Sequence, residues 1–439
     1  MNTHSKIDAA ATRNPLAPAA RRGAPTKASG RKQQLLLGAM ALLAGTYAFG
    51  ASPPAAADTV LHNSCTATCT SDGWQPEASL MLGSNGRLYG TAEMGGTYGK
   101  GTVFWIKPNG AGYATRYSFG ATGDGAYPVA GLLQYGTLVY GTTYEGGQYG
   151  YGTVFCMKSS VTAEFNKYSF GSTTADGTYP QAGLTLVGNW LYGTTAHGGT
   201  NGAGTVFRIN TKCGQEQVLY NFAGGTDGGF PSGTLFYDSV NNLLYGTTQI
   251  GGSGCNCGTV FSVTPAGLES VVYSFTGNPD GSSPRGGVVL DSGSGMLFGT
   301  TEYGGQSLGT IFEISPSCAN SCGSATVYPF KGPTFSDGLY PYGNLIDVGG
   351  TLYGTTLYGG TGTGCGTNGC GTIFKAAATG FPNETVVNSF TGTATDGYAP
   401  AAGLYYDSSN TDFYGTTTSG GNKTTCGNAS GCGTVFVQP

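Results

Sequence analysis

Charge is scarce in this 439-residue chain: Asp, Glu, Lys and Arg make up 10% of it, with 19 basic and 23 acidic residues and three histidines. Beyond the first 57 residues the only histidines are His62 and His197. There is no Gly-x-Ser-x-Gly elbow, no two-halved metal-ligand cluster and no phosphate-cradling glycine loop, so the usual signatures of serine hydrolases, zinc enzymes and nucleotide enzymes are missing. Long apolar runs are missing as well. The stretch Leu35–Phe49 falls short of the roughly 20 residues that a membrane-spanning helix needs.

That stretch follows a segment, 1–34, that holds seven Lys or Arg and one Asp, and it is followed by Ala55-Ala56-Ala57. This is the pattern of a secretory signal peptide, so we expect residues 1–57 to be removed and the mature domain to be 58–439. No stable membrane insertion is expected after cleavage. The remaining 12 basic and 22 acidic groups give a net charge of −10, which argues against nucleic acid or an anionic membrane as a partner. The expected location is secreted, cell-surface or periplasmic.

What the chain has in abundance is glycine, 80 residues of it, locked into a repeat. Leu-Tyr-Gly-Thr-Thr recurs with its ring at Tyr89, Tyr140, Tyr192, Tyr245, Phe298, Tyr353 and Tyr414, in steps of 51, 52, 53, 53, 55 and 61 residues. Each copy belongs to a longer unit, complete in the second repeat. It runs from Asp124-Gly125 through Pro128 and Gly131-Leu132 to Leu138–Thr143, then Gly152–Phe155 and Tyr168–Phe170. Four short runs rich in Val, Thr, Tyr and Phe, separated by Gly, Asn, Asp, Ser and Pro, predict four antiparallel strands, here a to d. A period of this size predicts a stacked array, and four strands in about 50 residues predict a propeller blade. The fold class is all-β, a seven-bladed β-propeller of four-stranded antiparallel blades. The chain stops on a strand c at Val435-Phe436, while Thr59–Ser64 aligns with Thr385–Phe390 of strand d. The N-terminal strand is therefore expected to close the ring and leave no open edge. The repeated glycines mark places where a backbone or a ring approaches closely.

All 12 cysteines follow the leader, as in proteins of an oxidising compartment. Five local pairs are expected as disulfides: Cys65 with Cys69, Cys255 with Cys257, Cys318 with Cys322, Cys365 with Cys370, and Cys426 with Cys432. Cys156 and Cys213 are left over, either free or bridging adjacent blades. No metal site is expected, and the seven Asp-Gly pairs read as Asx-type turns rather than calcium ligands.

The wording of the repeat resembles the Gloeo/Verruco (GloVer) repeat of exported bacterial proteins of the choice-of-anchor type. The resemblance is carried by Leu-Tyr-Gly-Thr-Thr, by the Gly-Gly that follows it (Gly95-Gly96, Gly146-Gly147, Gly198-Gly199, Gly304-Gly305), and by Gly204–Phe207. It implies an exported propeller and brings no catalytic residues with it. No C-terminal sorting helix follows Val437-Gln438-Pro439, so surface attachment of the usual kind is not expected.

Function must lie where the repeats differ. The loops from b to c and from d to the next a emerge on one face. After Thr-Thr the b-to-c loops present Glu93, Tyr144, Glu145, His197, Gln249, Glu302, Tyr303, Tyr358 and Thr418, and the middle of Asp-Gly-x-x-Pro holds Trp74, Tyr127, Tyr179, Phe230, Tyr340 and Tyr398. Rings for stacking and carboxylates to accept hydroxyl hydrogen bonds suit a glycan. The plainer reading makes the rings blade packing and the glutamates solvated loop charges that folding does not need. We expect a monomeric, cofactor-free, non-catalytic binding or surface/matrix module for a glycan or an extracellular protein. The alternative is a glycan hydrolase or lyase using Glu93, Glu145 and Glu302 as acid and base. A purely structural matrix component is the third possibility.

Overall fold

The protein is seen in a computed structural model that describes residues 57–65, 69–159, 164–318, 325–421 and 431–439. The expected leader lies outside the described residues, apart from Ala57. Among the described residues the only helical elements are two single 3-10 turns, Pro333–Phe335 and Gly366–Asn368. Among the described residues no helix is long and apolar enough to cross a membrane.

Seven antiparallel four-stranded sheets follow one another as seven blades. In blade 2 the strands are Leu133–Tyr135 (a), Leu138–Thr143 (b), Thr153–Lys158 (c) and Glu164–Ser169 (d). They pair in the order a-b-c-d, with Tyr140 opposite Cys156 and Thr143 opposite Thr153. Blade 7 takes its first three strands from the C-terminus, Tyr405–Asp407, Asp412–Thr417 and Thr434–Gln438, and its strand d from the other end of the domain, Thr59–Asn63. Thr59 stands opposite Val437 and Asn63 opposite Thr434, so the N-terminal strand closes the ring as the repeat alignment predicts.

The apolar interior is divided. Seven clusters lie between seven pairs of neighbouring blades, for example Tyr140, Val154, Phe170, Leu184, Leu191 and Phe207 between blades 2 and 3. The cluster of Leu80, Leu88, Phe104, Tyr414 and Val435 joins blade 7 to blade 1. Both faces of strands b and c are covered, and strand b of blade 2 is buried from Val139 to Thr143. This is why these strands do not alternate apolar and polar residues.

The repeat wording has a geometric cause at each place. A Cβ on Gly141 would meet the Phe155 ring at 2.6 Å and Leu132 at 2.7 Å, so Tyr-Gly-Thr carries glycine because the Phe of Gly-Thr-Val-Phe lies over it. The first threonine reaches across to the next blade, Thr142 donating to the carbonyl of Ala182 at 3.0 Å and Thr416 to that of Ala78 at 3.0 Å. The second meets the threonine of strand c inside its own blade, as in Thr143 with Thr153 at 2.8 Å.

The aspartate of Asp-Gly is a latch. The Tyr117 hydroxyl donates to Asp124 Oδ2 at 3.0 Å, while the N–H of Gly125 donates to Oδ1 at 2.7 Å. Tyr168 with Asp176 and Tyr220 with Asp227 repeat the tyrosine contact. These are turn and strand contacts of the kind expected for Asx geometry. At three latches a further acid packs against the same tyrosine: Glu216 at Tyr168, Glu269 at Tyr220 and Glu384 at Tyr328. Burial, reinforced by the neighbouring aspartate, pushes Glu216 up to about 8 and Glu269 up to about 7.

Disulfides join Cys65 to Cys69, Cys255 to Cys257 and Cys365 to Cys370. Cys318 and Cys432 are disulfide-bonded too, whereas Cys322 and Cys426 lie outside the described residues. The two left-over cysteines pair with each other, Cys156 on strand c of blade 2 with Cys213 beyond strand c of blade 3. Both sulfurs lie in the cluster between these blades.

Candidate functional site

Two segments of each repeat converge where the seven blades meet. The first runs through Asp-Gly-x-x-Pro into strand a; the second follows strand b. They are held in register by a short ladder, Gly125 opposite Gly146 and Ala126 opposite Glu145 in blade 2, repeated as Gly73 with Gly95, Gly177 with Gly198 and Gly397 with Gly420. The N–H of the first residue after Thr-Thr donates to the carbonyl of the residue before proline: Glu93 to Gln75 at 3.0 Å, Tyr144 to Tyr127 at 2.9 Å, Glu302 to Ser283 at 3.1 Å. That pre-proline residue is left-handed in every repeat, at Gln75, Tyr127, Tyr179, Phe230, Ser283, Tyr340 and Ala399.

The result is a cavity of about 420 Å³ with lining residues from all seven blades, within the size range of ordinary ligand pockets. Its floor is made of small residues of the strand-a starts, among them Ser79, Gly131, Gly183 and Gly403. Neighbouring strands come so close there that a Cβ on Gly343 would meet Ala402 at 2.4 Å. Its wall is made of the residue after each proline: Glu77, Val129, Gln181, Ser232, Arg285, Tyr342 and Ala401. Seven repeats place seven different residues at this one position.

Two blades bring charge to the cavity. In blade 5 the Arg285 guanidinium forms an ion pair with the buried carboxylate of Glu302, and its Nη1 donates to the Tyr342 hydroxyl at 3.1 Å. In blade 1 the same two positions hold Glu77 and Glu93, both lining the cavity. Burial first, then the Glu93 charge, pushes Glu77 up to about 7, and burial raises Glu93 as well.

Of the residues singled out from sequence, Glu93 and Tyr144 line the cavity. Glu302 does not stand on a solvated loop: it is 7% exposed and committed to Arg285. The sequence could not show this because the two residues meet only through the ladder between the two segments. Glu145, His197, Tyr303 and Tyr358 occupy the next position, which strand alternation turns away from the cavity. Gln249 is half-buried at the inner position but is not part of the lining.

The rings form a belt on this face. Tyr144 lies 5.1 Å from Tyr179, and the His197 ring sits between Tyr179 at 5.8 Å and Phe230 at 4.6 Å, where burial lowers its pKa. Tyr340 stands 5.5 Å from Tyr303 and 6.2 Å from Tyr358, which in turn lies 6.0 Å from Tyr398. Tyr144–Tyr179, His197–Phe230, Tyr303–Tyr340 and Tyr358–Tyr398 join one blade to the next, while Tyr179–His197 and Tyr340–Tyr358 lie within a blade. Lys100 lies 4.4 Å from the centre of the Tyr127 ring and also donates to its hydroxyl. The six d-to-a rings fall in two registers, Trp74 and Tyr398 one residue earlier than the four on left-handed backbone, so they are not one equivalent set. Trp74 pairs with Met94 in its ladder, outside the lining.

Sequence reasoning missed Glu77, Gln181, Ser232, Arg285 and Tyr342. The signal was available: the position after the repeated proline holds a different residue in each of the seven repeats.

The model of the Gloeobacter/Verrucomicrobia repeat matches residues 44–255 and 174–365. No curated protein matches the chain. Among solved structures, the extracellular domain of a putative hybrid two-component system from B. thetaiotaomicron aligns with a TM-score of 0.53 at 12% identity, over 87% of this chain and 41% of that one. An oligogalacturonate lyase in complex with manganese aligns with a TM-score of 0.50 at 9% identity, over 88% and 96%. Both likenesses are of fold.

Proposed function

We propose that this chain, which belongs to the Gloeobacter/Verrucomicrobia repeat family, is an exported binding module that holds a carbohydrate at the mouth of its propeller. The observation that carries the reading is the cavity of about 420 Å³, whose wall mixes rings (Tyr144, Tyr342) with donors and acceptors (Gln181, Ser232, Asn344, Glu77). Such a mixture suits a sugar, which offers an apolar ring face and a fringe of hydroxyls. The disulfides support an oxidising compartment, and the leader pattern supports export.

A catalytic reading is favoured by one observation, the neighbouring carboxyls Glu77 and Glu93 in a single cavity, one of them titrating near neutrality. A proton donor poised near pH 7 is what general acid catalysis uses.

The test is a glycan array probed with the chain 58–439. Binding should be lost in Gln181→Ala and Tyr144→Ala and kept in Glu145→Gln, which lies outside the lining. Loss in Glu145→Gln with retention in the other two would place the site elsewhere. Absence of any glycan ligand would sink the carbohydrate reading, and release of shortened glycan from bound material would favour the catalytic one.

A further inference from the structure

Blades 1 and 5 set the same two positions against each other, the residue after proline and the residue after the strand-b threonine region. Blade 5 fills them with Arg285 and Glu302, and the acid finds its cation inside the protein. Blade 1 keeps the acid, as Glu93, but places a second acid, Glu77, where blade 5 has its guanidinium. Among the described residues no ion pair or hydrogen bond reaches either carboxyl. Both line the cavity instead. Arg285, the one cation of the lining, is held by Glu302 and Tyr342 and is not free to answer them.

We propose that the carbohydrate bound in this cavity bears a free amino group, and that its ammonium docks between Glu77 and Glu93 in the place that the Arg285 guanidinium occupies in blade 5. The inference rests on the carbohydrate reading above. Two carboxylates brought together out of water repel each other and lose hydration, and an ammonium with three donors offsets both effects at once. Burial acts in the same sense, because both carboxyls hold their protons more tightly than usual when the cavity has no cation. Blade 2 contributes Val129 on the far side of this pair, where blade 6 sets Tyr342 beside Arg285.

The experiment is titration calorimetry at pH 7 with the chain 58–439. Three probes are used: glucosamine oligomers, N-acetylglucosamine oligomers of the same length, and trilysine. The glucosamine oligomer should bind about 10-fold or more tightly than its acetylated counterpart, the discrimination expected of charge-assisted hydrogen bonds. In Glu77→Gln/Glu93→Gln the preference should vanish. Glu77→Arg rebuilds the blade 5 pair inside blade 1. It should abolish glucosamine binding while keeping or raising the melting temperature, which separates loss of the site from loss of the fold. Equal binding of both oligomers would overturn the amino-group inference and keep the carbohydrate reading. Binding of neither would overturn both. Trilysine binding more tightly than the glucosamine oligomer, with the same dependence on Glu77, would transfer the pocket to a peptide and overturn the amino-sugar assignment.

Discussion

The disulfide between Cys156 and Cys213 ties two blades, and it should matter more than the loop staples. It closes a separation of 57 residues, whereas Cys365–Cys370 closes one of 5. In the loop-closure description, restricting the unfolded chain by these links stabilises the fold by about 4 and about 2 kcal/mol respectively. Unfolding the 382 residues of 58–439 carries an entropy of about 0.8 kcal/mol/K. Removing the cross-blade link should therefore lower the melting temperature by about 5 °C and removing the staple by about 3 °C. Both cysteines of the cross-blade pair are fully buried between blades 2 and 3, so replacement by alanine, which adds no buried hydroxyl, is the cleaner variant. Scanning calorimetry of Cys156→Ala/Cys213→Ala and of Cys365→Ala/Cys370→Ala, each with and without reductant, gives the comparison. A staple variant that melts at or below the cross-blade variant would refute the reasoning. So would a cross-blade variant as stable as the parent.

Stability should fall as pH rises through neutrality. Glu77, Glu216 and Glu269 are pushed up to about 7, about 8 and about 7, and burial likewise raises Asp58 and Glu384. A carboxyl whose pKa is raised by folding contributes stability that is complete below its unfolded value near 4 and is lost as pH passes its folded value. The melting temperature should be higher at pH 5.5 than at pH 8.5, and Glu216→Gln should shrink the difference; a higher value at pH 8.5 would contradict the burial of these groups. Gly141→Ala should cost about 1–3 kcal/mol because its Cβ would press on Phe155 at 2.6 Å, whereas Gly214→Ala, with nothing within 4 Å, should be near neutral by thermal melting. Deleting residues 58–64 removes the strand paired with Thr434–Gln438 and uncovers an edge; the melting temperature should fall by several degrees and size-exclusion chromatography should show association.

Much of the fold was legible because the repeat states its own constraints. Gly141 and its equivalents mark ring contacts, the Gly-Thr-Thr threonines mark bonds within and between blades, and Thr59–Ser64 announces itself as a displaced strand d. The candidate site was legible only in part. Variation after Thr-Thr drew notice to Glu93 and Tyr144, but alternation along the strand separates these from Glu145, His197, Tyr303 and Tyr358, and a list of variable residues does not carry that parity. Glu302 looked like a loop charge because its partner Arg285 lies 17 residues away and meets it through the ladder of the two segments. The pairing of Cys156 with Cys213 was open for a similar reason: strand c of one blade and the chain beyond strand c of the next are neighbours only in the closed ring.

The position after each proline has a consequence for how such chains diverge. Glu77, Val129, Gln181, Ser232, Arg285, Tyr342 and Ala401 line the cavity, while the proline before them and the leucine three residues after them in six of the seven repeats hold the backbone. Recognition and architecture are thus written in alternate letters of the same short phrase. A duplication that copies a blade copies its architecture unchanged, and one codon afterwards suffices to give that blade a new voice at the mouth, as the reversal from Arg285 to Glu77 between blades 5 and 1 illustrates. Relatives with superimposable rings are then free to hold unlike ligands. Whole-chain identity would be a poor guide to which do, and the seven letters after proline would be the place to read them.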